Sequence, residues 1–254
     1  MTSTGATNNY KQGYSSQTVA TQQTRTAESE AAFLLPYIKN KDYILDVGCG
    51  PDTITTGFVK YASEGRTVGL DLSANVLERA KAAANGAGIP KEGPGSVVFE
   101  EGNILEVKAL TEMRRVLKPG GILASRDAIE QHFYPRHTDL DRLWVGNFRR
   151  AVLNGDWNAD LSPPVMPALY RQAGFDADAG KVHVGTGSST VEARRWLSKR
   201  AESQLKPGDP LYWSWREAGI TEDEIQETLR ASKKWAETED AWFASLQCEM
   251  LAWK

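Results

Sequence analysis

The sequence predicts an α/β protein: a doubly wound, mostly parallel sheet with helices on both faces. Three stretches carry that prediction. The run YILDV at Tyr43–Val47 has the β-branched and aromatic bias of a buried strand and passes into the closely spaced glycines Gly48 and Gly50. A second run, TVGLDLS at Thr67–Ser73, also ends in an acid, and Asp71 stands 25 residues beyond Asp46. A third, SVVFEEGNI, begins at Ser96 after a helical pattern over Ala74–Asn85. Glycines without a Cβ let the first turn bend tightly and approach a ligand. The spacing of the acids is near the roughly 20-residue offset at which a carboxylate reaches ribose hydroxyls in a βαβ nucleotide-binding unit.

Length and charge narrow the classes further. The 254 residues are enough for one full α/β core, and a formal net charge of -3 offers no basic face for nucleic acid. The two cysteines, Cys49 and Cys248, are far apart and match no metal spacing, so no metal is expected and a reducing compartment is. Small size explains Cys49 inside the glycine turn better than reactivity does. The polar N-terminus lacks the basic start and apolar run of a signal peptide, and no stretch approaches the roughly 20 apolar residues of a membrane span. A cytoplasmic protein is the expectation.

Taken in order, residues 1–9 read as a disordered tail and residues 10–254 as a single domain. Residues 10–40 read as N-terminal lid helices, with Thr26, Glu28 and Ser29 as a polar helix start before Ala31, Leu34, Leu35 and Ile38. After the glycine turn, Thr53–Ala62 reads as a crossover helix weakly marked by Thr53, Ile54, Thr55 and Thr56. Ser73 is placed to cap the next helix, with Val76, Leu77 and Ala80 on one face. The turn at Lys118–Gly121 leads into a strand over Gly121–Ala128, and Asp139–Leu153 reads as one amphipathic helix. A strand is expected over Asp176–Val184, helices near Val191–Leu205 and Glu222–Thr238, and a last strand in CEMLAWK. The core therefore comprises residues 41–187 and 247–254, with 188–246 as a helical cap insertion.

Four motifs together resemble the class I S-adenosylmethionine-dependent methyltransferases, in particular the small-molecule branch that includes ubiquinone and menaquinone biosynthesis enzymes. They are LDVGCGP at Leu45–Pro51, GLDLS at Gly69–Ser73, EEGNIL at Glu100–Leu105 and EMRRVLKPGG at Glu112–Gly121. The resemblance implies a Rossmann-like fold with an antiparallel last strand and S-adenosyl-L-methionine as cofactor. It implies that Asp46, Gly48, Cys49 and Gly50 surround the methionine portion, that Asp71 holds the ribose hydroxyls, and that Leu72, Asn103 and Ile104 form the adenine pocket. Many relatives have a third glycine where this chain has Asp52. In related enzymes the N-terminal segment covers the site, which singles out Tyr14 and Arg25.

Against that pattern one piece is absent. A crossover helix and a fourth strand normally follow the third, yet here NILEV runs directly into KALTEMRRVLKPGG. A crossover and strand amount to roughly two dozen residues. Losing a strand from the middle of a sheet leaves backbone groups to be satisfied elsewhere.

Chemistry is read from the strand ends. Ligands of open α/β sheets lie outside the carboxyl ends of the strands, which places Asp127 and then Glu130, Gln131, His132, Phe133 and Tyr134 as the best substrate contacts. Methyl transfer needs position, exclusion of water and, for some nucleophiles, a base. His132 and Asp127 are the candidate bases. Tryptophans such as Trp196, Trp235 and Trp242 fit either a core or an aromatic pocket. The expected activity is methylation of a small, apolar or aromatic molecule. Two alternatives stand beside it: an impaired relative, a deletion or splice variant that binds cofactor weakly or acts as a partner, and an NAD-dependent oxidoreductase. The second is opposed by Thr53, where the dinucleotide fingerprint has its third glycine.

Overall fold

The three runs that predict parallel strands do form them. In a computed structural model, which describes residues 19–20, 22–51, 53–102, 109–152, 168–175, 181–186 and 191–254, they are β1 (Tyr43–Val47), β2 (Arg66–Asp71) and β3 (Ser96–Glu101). The order is β1-β2-β3, with Asp46 opposite Gly69 and Asp71 opposite Glu101. Gly69 is required by packing, since a Cβ there would lie 2.6 Å from the Phe99 ring and 3.0 Å from Cys49 Sγ.

The chain divides into two compact units, one over Val19–Glu112 and one over Met113–Lys254. In the first, the polar start is a reciprocal cap: Ser29 N–H donates to Thr26 Oγ1 at 3.1 Å, and Thr26 N–H to Ser29 Oγ at 3.0 Å. The helix it opens, α1 (Ala27–Glu30), lasts one turn, and a 3-10 turn at Leu35–Tyr37 contains Pro36, so the expected longer helix is divided. The crossover helix α2 is also shorter than expected, Thr53–Phe58 in place of Thr53–Ala62. Threonines hold it weakly by propensity, and burial of Thr55, Gly57 and Phe58 anchors it instead. A Cβ on Gly57 would come within 2.8 Å of Ala27 Cβ, so α1 and α2 pack closely.

The next helix, α3 (Ala74–Gly86), buries Val76, Leu77, Ala80 and Ala84, and Leu77, Ala80 and Ala84 join Val97 and Phe99 of β3 in one cluster. Ser73 stands at its cap position but makes no capping side-chain bond, contrary to expectation. Its N–H is held by Asp71. In both helices the sequence pattern locates the element and tertiary contacts set its ends.

The second unit begins within α4 (Ala109–Val116), whose C-terminal end is closed by Lys254: its Nζ donates to Arg115 O at 2.9 Å and Leu117 O at 2.7 Å. Its sheet contains β4 (Ile122–Tyr134), β5 (Lys181–Thr186) and β6 (Trp242–Trp253) in the order β4-β6-β5. Both neighbours pair antiparallel with β6, so the last strand alone runs against them. Two expectations need correction here. The strand expected to end at Ala128 continues to Tyr134, and Trp242–Leu246, assigned to the helical cap, is the first part of β6. The β-branched and aromatic residues of each segment pair along their full length, Phe133 with Phe243 and Tyr134 with Trp242.

The cap helices are α6 (Val191–Gln204), α7 (Pro210–Glu217) and α8 (Glu222–Glu237), after α5 (Asn147–Val152). A π-helical turn at Asp141–Gly146 leads into α5, so the amphipathic stretch expected from Asp139 is helical but not uniform. Capping is explicit: Asp209 Oδ1 accepts Leu211 N–H at 2.9 Å, and Thr221 and Glu224 form a capping box. Trp215 and Trp235 are fully buried, in clusters with Leu205, Leu211 and Ile225 and with Phe133 and Leu140. These tryptophans are core. Among the described residues no helix is long and apolar enough to cross a membrane.

Candidate functional site

The glycine turn is built from backbone bonds to the neighbouring strand. Gly48 N–H and Cys49 N–H both donate to Leu70 O, at 2.7 and 3.0 Å, so the turn after β1 is tied to the end of β2. Gly48 and Gly50 have φ of +74° and +62°, and a Cβ on either would meet nothing within 4 Å. Glycine is needed there for conformation, and the space over the turn is open to a ligand. Cys49 is buried against Leu77, Ala80 and Phe99, which gives its side chain a packing role.

Asp71 binds this turn through its side chain. Its Oδ2 accepts Gly50 N–H at 3.0 Å and its Oδ1 accepts Ser73 N–H at 2.9 Å. The second acid of the sequence pattern thus organises the first turn. Asp46, on the face of β1 that carries Ile44, accepts a hydrogen bond from Thr55 Oγ1 at 2.7 Å. Desolvation raises the pKa of Asp46 above the ordinary carboxylate value; the Thr55 bond opposes that rise and the charge of Asp71 adds to it.

The other residues expected in this region separate into two groups. Leu72 is half-buried beside Asp71 and Arg25 is exposed. Tyr14, Asp52, Asn103 and Ile104 lie outside the described residues. An open, glycine-lined turn flanked by two carboxylates, one of which holds the Gly50 N–H, suits a ligand that carries an amino group and a ribose diol. The residues present therefore fit S-adenosylmethionine.

In the second unit the candidate bases lie on β4, and the strand contains an irregularity between Ala128 and Glu130. Asp127 lies opposite Cys248 and Glu130 opposite Leu246, two residues on from it. Because cross-strand partners share a face, the extra residue Ile129 places Asp127 on the same face as Glu130, His132 and Tyr134. In a regular strand Asp127 and His132, five apart, would face opposite ways. His132 and Tyr134 thus lie within the strand and not in a loop beyond it, as the sequence led us to expect.

Two residues not singled out in the sequence complete this face. Asp141 Oδ2 lies 3.0 Å from His132 Nδ1, its Oδ1 accepts Phe133 N–H at 2.6 Å, and Arg136 Nη1 also donates to Oδ2. Glu130 Oε2 stands 3.5 Å from His132 Nε2, so the imidazole is bracketed by carboxylates. The Tyr134 ring stacks on Trp242 at 4.3 Å with the Arg136 guanidinium 4.7 Å from its centroid. Nothing in the spacing of Asp141 marks it. Its role depends on the turn at Arg136–Thr138, which folds the chain back onto β4. Asp127 is exposed, and burial raises the pKa of the Cys248 thiol opposite it, with smaller contributions from the charges of Asp127 and Glu249.

Comparison with known proteins decides the family. The family described as a methyltransferase domain matches residues 45–107. A curated protein of Aspergillus luteorubrus, described as a probable methyltransferase, is 72% identical over the whole of both chains. The chain belongs to the class I S-adenosylmethionine-dependent methyltransferases. An uncharacterized methyltransferase of Schizosaccharomyces pombe is 30% identical over 75% of this methyltransferase and 77% of its own length. The YcgJ protein of Bacillus subtilis shares the fold at a TM-score of 0.52 and 14% identity, over 89% of this chain and 97% of that one. S-adenosylmethionine is the cofactor of this methyltransferase class, as the glycine turn and its acids led us to expect.

One detail of these matches bears on the sheet. The alignment with the Aspergillus luteorubrus protein spans 285 positions against the 254 residues of this methyltransferase, so at least 31 positions have no residue of this chain opposite them. A crossover helix with a strand is of that order of length.

Proposed function

We propose that this methyltransferase transfers the methyl group of S-adenosylmethionine to a small apolar or aromatic acceptor in the cytoplasm. Asp71 would hold the ribose hydroxyls, Asp46 with the backbone of Gly48, Cys49 and Gly50 the methionine end, and Leu72 with Asn103 and Ile104 the adenine. The cofactor supplies a sulfonium-activated methyl group. The protein contributes alignment, exclusion of water and a base where the acceptor must lose a proton. His132, oriented through Nδ1 by Asp141, and Asp127 are the candidate bases, and Tyr134 stacked on Trp242 is the candidate surface for an apolar or aromatic acceptor. Arg25 and Tyr14 are the candidate covering residues.

The observation that carries this reading is the bond from Gly50 N–H to Asp71 Oδ2, which joins the two halves of the nucleotide-binding pattern. Calorimetric titration with S-adenosylhomocysteine tests it. Binding by the native chain and a loss of about 100-fold or more in Asp71→Ala are expected, because one carboxylate serves both the turn and the ligand, and each bond to a charged group contributes about 1.5–3 kcal/mol. Native-like binding by Asp71→Ala would overturn the assignment of this turn. The nicotinamide alternative and the non-catalytic alternative find no support in the relatives.

A further inference from the structure

The side chain under the glycine turn that no motif identifies is Thr55. It is completely buried, lies within α2, and its hydroxyl donates to Asp46 Oδ2 at 2.7 Å. Among the described residues it is the one hydrogen-bond partner of that carboxylate. Ile44, on the same face of β1, packs into the apolar cluster of Ala27, Ala31 and Phe58, so Asp46 reaches up beneath α2 from an otherwise apolar face. A carboxylate in such a place keeps one orientation only if something fixes it, and an unsatisfied buried oxygen would be costly.

We propose that Thr55 is a positioning residue for cofactor binding: its hydroxyl holds the Asp46 carboxylate aimed at the methionine end of S-adenosylmethionine. The inference rests on the reading that Asp46 borders the cofactor. Asp71 is the charged group that bears on Asp46, and its negative charge opposes the ionisation that the Thr55 bond favours. Removing the hydroxyl leaves desolvation and that charge unopposed. Cofactor binding should then fail at a higher pH than in the native chain.

The test is titration with S-adenosylhomocysteine across the acid-to-neutral range for the native chain, Thr55→Val, Thr55→Ser and Asp71→Ala, with thermal melts of each. Thr55→Val keeps the shape and loses the donor; Thr55→Ser keeps the donor. We expect Thr55→Val to bind about tenfold more weakly at neutral pH, with its acid limb moved upward, and Thr55→Ser to restore both. A loss in Thr55→Val that is equal at every pH, or that Thr55→Ser does not restore, would mean that Thr55 supports only packing and would overturn the proposal. Native affinity in Thr55→Val alongside lost binding in Asp71→Ala would overturn it too, leaving the cofactor reading intact. If the folded native chain does not bind, both fall together.

Discussion

The two sheets treat their edges differently. In the antiparallel sheet, β6 is central, paired on both sides, and buries Cys248, Met250, Leu251 and Ala252. In the parallel sheet, β1 has equally apolar composition but pairs only with β2 among the described residues, leaving Tyr43 73% and Leu45 50% exposed. Parallel strands normally lie buried on both faces, and an exposed apolar edge invites pairing with another chain. The composition of β1 is that of a strand with a neighbour on each side. Its conflict with the observed exposure is local evidence of an absent element, as are the positions that the Aspergillus luteorubrus relative has in excess.

Three measurements can break or sharpen that contrast. The largest effect is expected in the covered unit. Trp235→Ala removes a fully buried ring in edge contact with Phe133 and leaves Tyr134 O without the indole N–H that now lies 2.9 Å away, at a cost of about 3–5 kcal/mol by denaturant unfolding. A cost below about 1 kcal/mol would show that the second sheet is as loosely covered as the first.

A smaller gain is expected from exchanging the stretch between Glu101 and Ala109 for its counterpart in the Aspergillus luteorubrus protein. If that counterpart carries a strand for the β1 edge, covering Tyr43 and Leu45 should stabilise the chain by about 2 kcal/mol and suppress self-association in sedimentation. An unchanged melt and unchanged association would make the bare edge native. The smallest effect belongs to Leu45→Ser in the chain as it stands, within about 0.5 kcal/mol, because the side chain is already half in water. A cost of about 2 kcal/mol would mean that another molecule covers this edge.

What the sequence made legible divides along the same line. Strand, glycine turn and acid are local patterns, so β1, β2, β3 and the turn after β1 could be read directly from residue type and spacing; the bond that ties Asp71 to Gly50 could not. Helix ends were less accessible, because α2 ends where packing of Gly57 on Ala27 stops rather than at a capping signal. On β4 the setting was misread: Glu130–Tyr134 looks like a polar loop until paired with Trp242–Leu246, a contact more than 100 residues away in the chain. Thr55 and Asp141 went unread for a related reason. Each acts through a partner supplied by another element.

The extra residue at Ile129 gives β4 a property that substitutions alone would not reveal. Alternation along the strand has two phases, one up to Ala128 and another from Glu130, with the added residue as the phase change. Removing Ile129 would leave the pairs on either side of it unchanged and close the ladder into a single phase. Keeping Ile129 but drawing it into regular pairing would instead turn Phe133 away from Trp235 and Phe243 and carry His132 to the opposite face. The identity of the face on which chemistry can occur is therefore stored as a count of residues, with one unpaired residue keeping both halves of the strand in step.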